Sequence, residues 1–258
     1  MDGYDIATKV LLDTCRDDII RYLLGIPVRE SRILDPLPQE TVSVKRGDFP
    51  VMMTDESGGR ELVVLEVYTD WKWTIPLHLM DYRARYMLQH KVQAISCVIL
   101  FRPSAAATDL YEDREIRFQY RLIKIYEMDA AQVVAEGPLC MLPFVPLMRG
   151  GEAALDEAEA LIYDSERSRP EKGDMLTSMA ILSGLVSPDM PAKLVSRRKD
   201  IMVESAAYDI IKREGVAEGA KKTAKNLIEL GILTDEQIAQ AVELTVEEIR
   251  ELRRKMEK

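Results

Sequence analysis

The sequence predicts an α/β fold: a mixed central β-sheet with helices over residues 1–150, then an α-helical C-terminal region over residues 151–258. Three observations carry that prediction. Asp48–Thr54 and Leu62–Tyr68 are extended, largely apolar runs joined by Asp55-Glu56-Ser57-Gly58-Gly59-Arg60, a stretch rich in residues that tolerate positive φ, so they form a hairpin. Leu62–Tyr68, a helically spaced run over Ile75–His90 and the apolar run Val92–Phe101 give strand, helix and strand, a crossover that makes the two strands parallel. From Glu152 onward Ala, Glu, Leu and Lys dominate, and no convincing strand is left.

Taken in order, residues 4–24 read as a helix, with Val10, Leu11, Ile19, Ile20, Leu23 and Leu24 on a broad apolar face and Gly25-Ile26-Pro27 ending it. Residues 28–44 are mixed, and Pro36 and Pro38 forbid a long helix, so a loop leading into a short strand near Glu40–Val44 is expected. Pro50 makes the 48–54 strand an edge or an irregular one. Leu62–Tyr68 is apolar on both faces and belongs in the middle of the sheet; Leu62, Val64, Glu66 and Tyr68 share one face, and Val63, Leu65 and Val67 the other. A loop with Trp71 and Trp73 leads to Pro76, which fits the first turn of the next helix, whose expected buried stripe is Leu77, Met80, Ala84, Met87 and Leu88.

Residues 102–114 are polar and loop-like, and Glu115–Tyr126 alternates as one half-exposed strand. Leu139–Leu147, interrupted by Pro143 and Pro146, reads as an extended packing segment. Helices are expected near 152–166, 172–186, 192–213, 217–230, 234–242 and 245–257, the last two opened by the capping boxes Thr234–Gln237 and Thr245–Glu248.

Composition narrows the function classes. Hydrophobic residues make up 47% and charged residues 31%, with a net charge of −9 and a pI near 5.0. That balance argues against an extended nucleic-acid surface, which needs clustered Lys and Arg. A local exception lies between Lys193 and Lys225, where nine basic residues face five acids; Arg197-Arg198-Lys199 is its sharpest point and the candidate phosphate contact, against a solvated helix face as the plainer reading. Cys15, Cys97 and Cys140 share no CxxC spacing and read as reduced packing residues. Two histidines cannot alone make a zinc site. No apolar run approaches the roughly 18 residues of a membrane span, and the first residues lack the basic-then-apolar pattern of a signal peptide, so a cytoplasmic protein with no membrane partner is expected.

The chemistry concentrates between Lys45 and His90. Glu66 interrupts an apolar strand, where an unpaired carboxylate is expensive. Asp48 opens the preceding strand. Two acids on rigid strands, with open positions left for water and phosphate, make a divalent-metal site. The competing reading is structural: Glu66 in a buried ion pair with Arg83 or Arg85, and Asp48 as a strand-end acid. Tyr68, two residues after Glu66 on the same face, is placed to orient a water, or simply to pack. Asp5 and Lys9 border this region or form a surface pair, and Trp71 and Trp73 stack on bases or pack down.

The order and wording of these pieces resemble the PD-(D/E)XK nuclease-like family, in particular its recombination-promoting nucleases and transposase-like relatives. The pieces are Lys45-Arg46-Gly47-Asp48, Val64-Leu65-Glu66-Val67-Tyr68, Ile75-Pro76-Leu77-His78-Leu79-Met80-Asp81-Tyr82-Arg83-Ala84-Arg85, Val98-Ile99-Leu100-Phe101-Arg102-Pro103, Leu142-Pro143-Phe144-Val145-Pro146-Leu147 and the tail Leu230–Ala239. The resemblance implies a restriction-endonuclease-like α-β-β-β-α-β core over 1–150 and magnesium- or manganese-dependent endonuclease hydrolysis of DNA. Asp48 and Glu66 would hold the metal, completed by the Val67 carbonyl, with Tyr68 as the third catalytic position. The chain departs from the pattern at Tyr68, where the family has Lys or Gln, and at His78, where it often has Arg. The first departure matters because a phenol is neutral at pH 7. Lys45 or Lys72 could supply the missing charge, or the fold serves as a catalytically inactive binding module for DNA or protein. The final helical pair suits a helix-turn-helix-like unit or a hairpin used for homo-oligomer association.

Overall fold

The computed structural model describes residues 3–34, 49–55, 58–231, 233–242 and 244–256. Two compact units emerge, Met1–Ser205 and Ala206–Lys258, so packing divides the chain at 205/206 rather than at 150.

Unit one is α/β. Helix α1 (Gly3–Leu24) leads to β1 (Glu30–Ile33), β2 (Phe49–Thr54), β3 (Arg60–Tyr68), α2 (Ile75–His90) and β4 (Ala94–Leu100). A small hairpin, β5 (Leu110–Glu112) with β6 (Arg117–Gln119), precedes β7 (Arg121–Lys124). The main sheet runs β1-β2-β3-β4-β7. The first two pairings are antiparallel and the last two parallel, so the sheet is mixed, as the hairpin and crossover predict.

The expected strand near 40–44 lies outside the described residues. The strand paired with β2 is instead β1, whose half-exposed, largely polar sequence Glu-Ser-Arg-Ile gives little apolar signal because it is an edge. Arg16 of α1 holds it, donating to the Ser31 hydroxyl at 2.6 Å and the Ser31 carbonyl at 2.8 Å. Pro50 is accommodated inside the sheet: its carbonyl accepts from the Leu34 N–H at 2.7 Å, so the donor it lacks would face the spent end of β1. The β2–β3 turn closes where expected, with Gly58 at φ +86° and the Asp55 carboxylate accepting from the Gly59 N–H at 2.7 Å.

β3 is the middle strand. One face carries Leu62 and Val64 into a cluster with Ile75, Leu79, Tyr82 and Tyr86 of α2 and Val98 of β4. This corrects the stripe expected on α2: Tyr82 and Tyr86 take the buried positions, while Leu88 is 79% exposed. The aromatic bodies bury more area than Met or Ala, and the helix is turned to suit them.

Other expectations are corrected too. The strand expected over 115–126 is split, because Tyr120 is drawn in to donate to the Thr108 carbonyl, separating β6 in the hairpin from β7 in the main sheet. The 139–147 segment is 3₁₀-helical and buried rather than extended, with Pro143 and Pro146 inside it. Short α3 (Ala130–Glu136), capped by Asp129, was not foreseen. α4 (Gly151–Asp164), α5 (Arg169–Ser183) and α6 (Met190–Met202) complete the unit. α5 opens with a Ser168–Glu171 capping box and meets α1, where the Ser178 hydroxyl donates to the Ala7 carbonyl at 3.3 Å. The expected 192–213 helix breaks at 203–205, where the buried Ser205 hydroxyl donates to Asp174 at 2.8 Å. Gly173 permits this approach: a Cβ there would meet the Ile201 carbonyl at 2.8 Å.

Cys15 of α1 and Cys140 of the 3₁₀ segment are joined in a disulfide, with Cα atoms 5.4 Å apart, correcting the expectation of three reduced thiols. Cys15 sits among polar residues of α1, Cys140 in an apolar run, and the two are 125 residues apart, so nothing local in the sequence signals the pairing. Cys97 is free and buried.

Unit two holds α7 (Ala206–Leu230), α8 (Asp235–Val242) and α9 (Val246–Met256) around Ala224, Ile228, Ile238, Ala239, Val242 and Ile249. Both expected capping boxes form. The Gln237 N–H donates to the Thr234 hydroxyl at 3.3 Å and the Thr234 N–H to the Gln237 side chain at 2.9 Å. The pair Thr245–Glu248 repeats the arrangement. No helix among the described residues is long and apolar enough to cross a membrane.

Candidate functional site

Glu66 lies near the end of the central strand, opposite Val98 of β4 and on the face that α2 covers. It is 2% exposed. The period of two that puts Leu62 and Val64 in the core also fixes Glu66 there. Tyr68, half-buried on the same face, donates its hydroxyl to the Glu66 carboxylate at 3.4 Å, longer than a strong O–H···O bond. The strand end is fastened by the Phe101 N–H to the Tyr68 carbonyl and the Arg102 N–H to the Thr69 carbonyl, both at 3.0 Å. On the other side of β3, Phe49 at the start of β2 pairs with Leu65, next to Glu66.

Asp48 and Lys45 lie outside the described residues. The arginines considered as structural partners of Glu66 both have other bonds. Arg83 donates to the Ala94 carbonyl and, at 3.4 Å, to the Ser96 hydroxyl; Arg85 donates to Asp81 at 2.8 Å. Trp71 packs partly against the core, whereas Trp73 is 73% exposed and Lys72 is exposed beside it. Asp5 and Lys9 are exposed on α1. His78 lies 6.5 Å, ring to ring, from Tyr82.

The basic triplet is placed differently from the sequence expectation of a solvated face. Arg198 donates to the Glu159 carboxylate of α4 at 2.5 Å, and Arg197 lies 2.5 Å from its other oxygen while donating to Asp156 at 2.8 Å. The Arg197–Glu159 approach is an ion pair rather than a well-aligned hydrogen bond. Arg198 also stacks over the Tyr163 ring at 3.9 Å. The Arg197 hydrogen bond and charge hold the Asp156 carboxyl below its usual range. Of the three, Lys199 alone is exposed with no carboxylate partner among the described residues. A phosphate approaching Arg197 or Arg198 would compete with carboxylates already in place.

Among the described residues no group of three or more His, Cys, Asp or Glu side chains converges to hold a metal. The donors at the end of β3 are hard oxygens, the kind magnesium takes, and magnesium needs only one or two protein carboxylates when waters fill the remaining positions. Glu66 supplies one. The sequence candidate for the second is Asp48. The described part of the site thus offers one carboxylate of the kind such an ion takes.

No protein-family model, curated protein or solved structure matches this chain. Sequence reasoning missed Glu159, which reads as one acid among many on a polar helix, and the fixing of Arg83 and Arg121 by backbone carbonyls. Alternation along 115–126 placed Arg121 on a solvent face but gave no sign of its partner.

Proposed function

We propose that the chain is a divalent-metal-dependent DNA endonuclease of the PD-(D/E)XK nuclease-like kind, with its site at the end of β3. The observation that carries the reading is Glu66, a carboxylate fixed in the core of the central strand, one residue from the β2 pairing that begins immediately after Asp48. The order α1, β1, β2, β3, α2, β4, with three antiparallel strands followed by a parallel crossover, supports the restriction-endonuclease-like arrangement.

In this reading Glu66 and Asp48 hold a magnesium or manganese ion, which supplies Lewis-acid polarisation of the phosphate and an activated water. The Tyr68 hydroxyl orients a water by hydrogen bonding. The burial of Glu66 against α2 keeps its carboxylate from swinging away from the site.

A second reading has its own observation. The Tyr68 hydroxyl already donates to Glu66, and no lysine takes its place on the strand. A nuclease-like fold that binds DNA or protein without cutting would carry this substitution. Calorimetric titration with manganese, comparing wild type with Glu66→Gln, tests the site itself. The nuclease reading expects saturable binding that the variant loses. Equal binding by both, or none by folded wild type, defeats it.

A further inference from the structure

A cleft of about 740 Å³ opens beside the first residues of β4 and along β7, away from the end of β3 that carries Glu66. Arg83 of α2, Arg117 of β6 and Arg121 of β7 line it, together with Ser96, Gln119 and Tyr120. The first and last of these arginines are fixed by neutral oxygens. Arg83 donates to the Ala94 carbonyl and to Ser96, and Arg121 donates to the Leu24 carbonyl at the end of α1 at 2.7 Å. Elsewhere in unit one many arginines pair with carboxylates, among them Arg85, Arg149, Arg169 and Arg197. Among the described residues neither Arg83 nor Arg121 has a carboxylate within ion-pair distance. Asp109, the acid along the cleft, accepts from the Gln119 amide at 3.0 Å. Arg117 reaches only an exposed Glu112 at 4.0 Å.

Guanidinium groups held rigidly by backbone carbonyls keep their remaining N–H donors pre-aimed, and planar guanidinium forks match phosphate oxygens. In a chain of net charge −9, fixed arginines gathered in one cleft without carboxylate partners leave a local positive field. The volume falls in the range of small-molecule sites, and a phosphate monoester carries close to two negative charges at neutral pH. The Phe118 and Tyr120 rings, 5.5 Å apart, add an aromatic wall.

We propose that this cleft binds the phosphate monoester of a small molecule, attracted by the positive charge of the arginines that line it, Arg83, Arg117 and Arg121. The site is independent of the metal reading at Glu66.

Isothermal titration of the full chain with inorganic phosphate, 5′-AMP and adenosine tests it. The expected result is saturable, salt-sensitive binding of at least one phosphate probe and none of adenosine. Arg117→Glu and Arg121→Gln, each with folding checked by circular dichroism, should each weaken that binding roughly tenfold or more, a loss of about 1.4 kcal/mol. Three results overturn the proposal: no saturable binding of either phosphate probe by folded wild type up to about 10 mM, binding unchanged in Arg117→Glu, or adenosine binding as tightly as 5′-AMP. Displacement of 5′-AMP by a short DNA duplex, with duplex binding lost in Arg117→Glu, also overturns it by assigning the cleft to nucleic acid.

Discussion

Replacing Arg197 and Arg198 together by methionine should destabilise unit one far more than two surface substitutions normally do. Glu159 is 2% exposed at its side chain, whereas Arg198 is 25% and Arg197 41% exposed. The buried member is the carboxylate, so removing both arginines leaves an uncompensated charge in the core. Breaking a buried pair in this way costs about 3–5 kcal/mol. The partial exposure of both arginines screens their contribution, which places the expectation near the lower end, about 3 kcal/mol. For a unit of roughly 200 residues that is a fall in Tm of about 6–12 °C. The assay is urea unfolding followed by far-ultraviolet circular dichroism, with matched m-values as the check on two-state behaviour. Adding Glu159→Leu to the double variant should restore most of the loss, because the apolar replacement removes the stranded charge. Surface arginines would behave otherwise: the double variant would lose under about 1 kcal/mol, and the third change would make matters worse. Either result would refute the assignment of these residues as an internal clamp.

Other consequences are as direct. The Cys15–Cys140 disulfide closes a loop of 125 residues, worth about 5 kcal/mol on the chain-entropy relation, so a reducing agent should lower Tm by about 10 °C or more; an unchanged Tm would count against the bond. Burial pushes the Cys97 thiol up to about 12, with Arg121 opposing only in part, so it stays protonated at neutral pH. Thiol titration without reductant should therefore find no reactive group in the folded chain and one after denaturation; rapid native labelling would show the burial to be wrong. Hydrogen bonds from Ser168 to Glu171, and from the Thr245 N–H and hydroxyl to Glu248, hold both carboxylates below the usual range. Their folded values are depressed, so the stabilisation is complete above the ordinary glutamate value of about 4.3 and is lost as pH falls through the folded values. Glu171→Gln should accordingly be less stable than wild type at neutral pH and converge with it in acid; a constant gap across pH would sink this linkage.

Much of the sheet was legible because its signals are local and strong. The Asp55–Arg60 turn, the unbroken Leu62–Tyr68 run and the Ile75–His90 periodicity placed two strands, a helix and their antiparallel and parallel pairings. The capping boxes at Thr234 and Thr245 were read from four residues each. What the sequence withheld was long-range. β1 is an edge strand with a polar face, so its pairing with β2 is set by tertiary context rather than by apolar alternation. On α2 the stripe of Met, Ala and Leu competed with Tyr82 and Tyr86, and packing against β3 and β4 chose the tyrosines. Arg197 and Arg198 carried the composition of a phosphate contact, and only the fold shows Glu159 opposite them. At the candidate site, alternation sufficed to place Glu66 and Tyr68 on one buried face, but not to show that the phenol reaches the carboxylate.

The most direct test of the central claim is cleavage of supercoiled plasmid by the purified chain with magnesium or manganese, set beside Glu66→Ala and Asp48→Ala variants that retain the wild-type circular dichroism spectrum. The account predicts nicked and linear products that require the ion and vanish in both variants. Intact plasmid with clean wild type in either ion, or cleavage that survives Glu66→Ala, would contradict it.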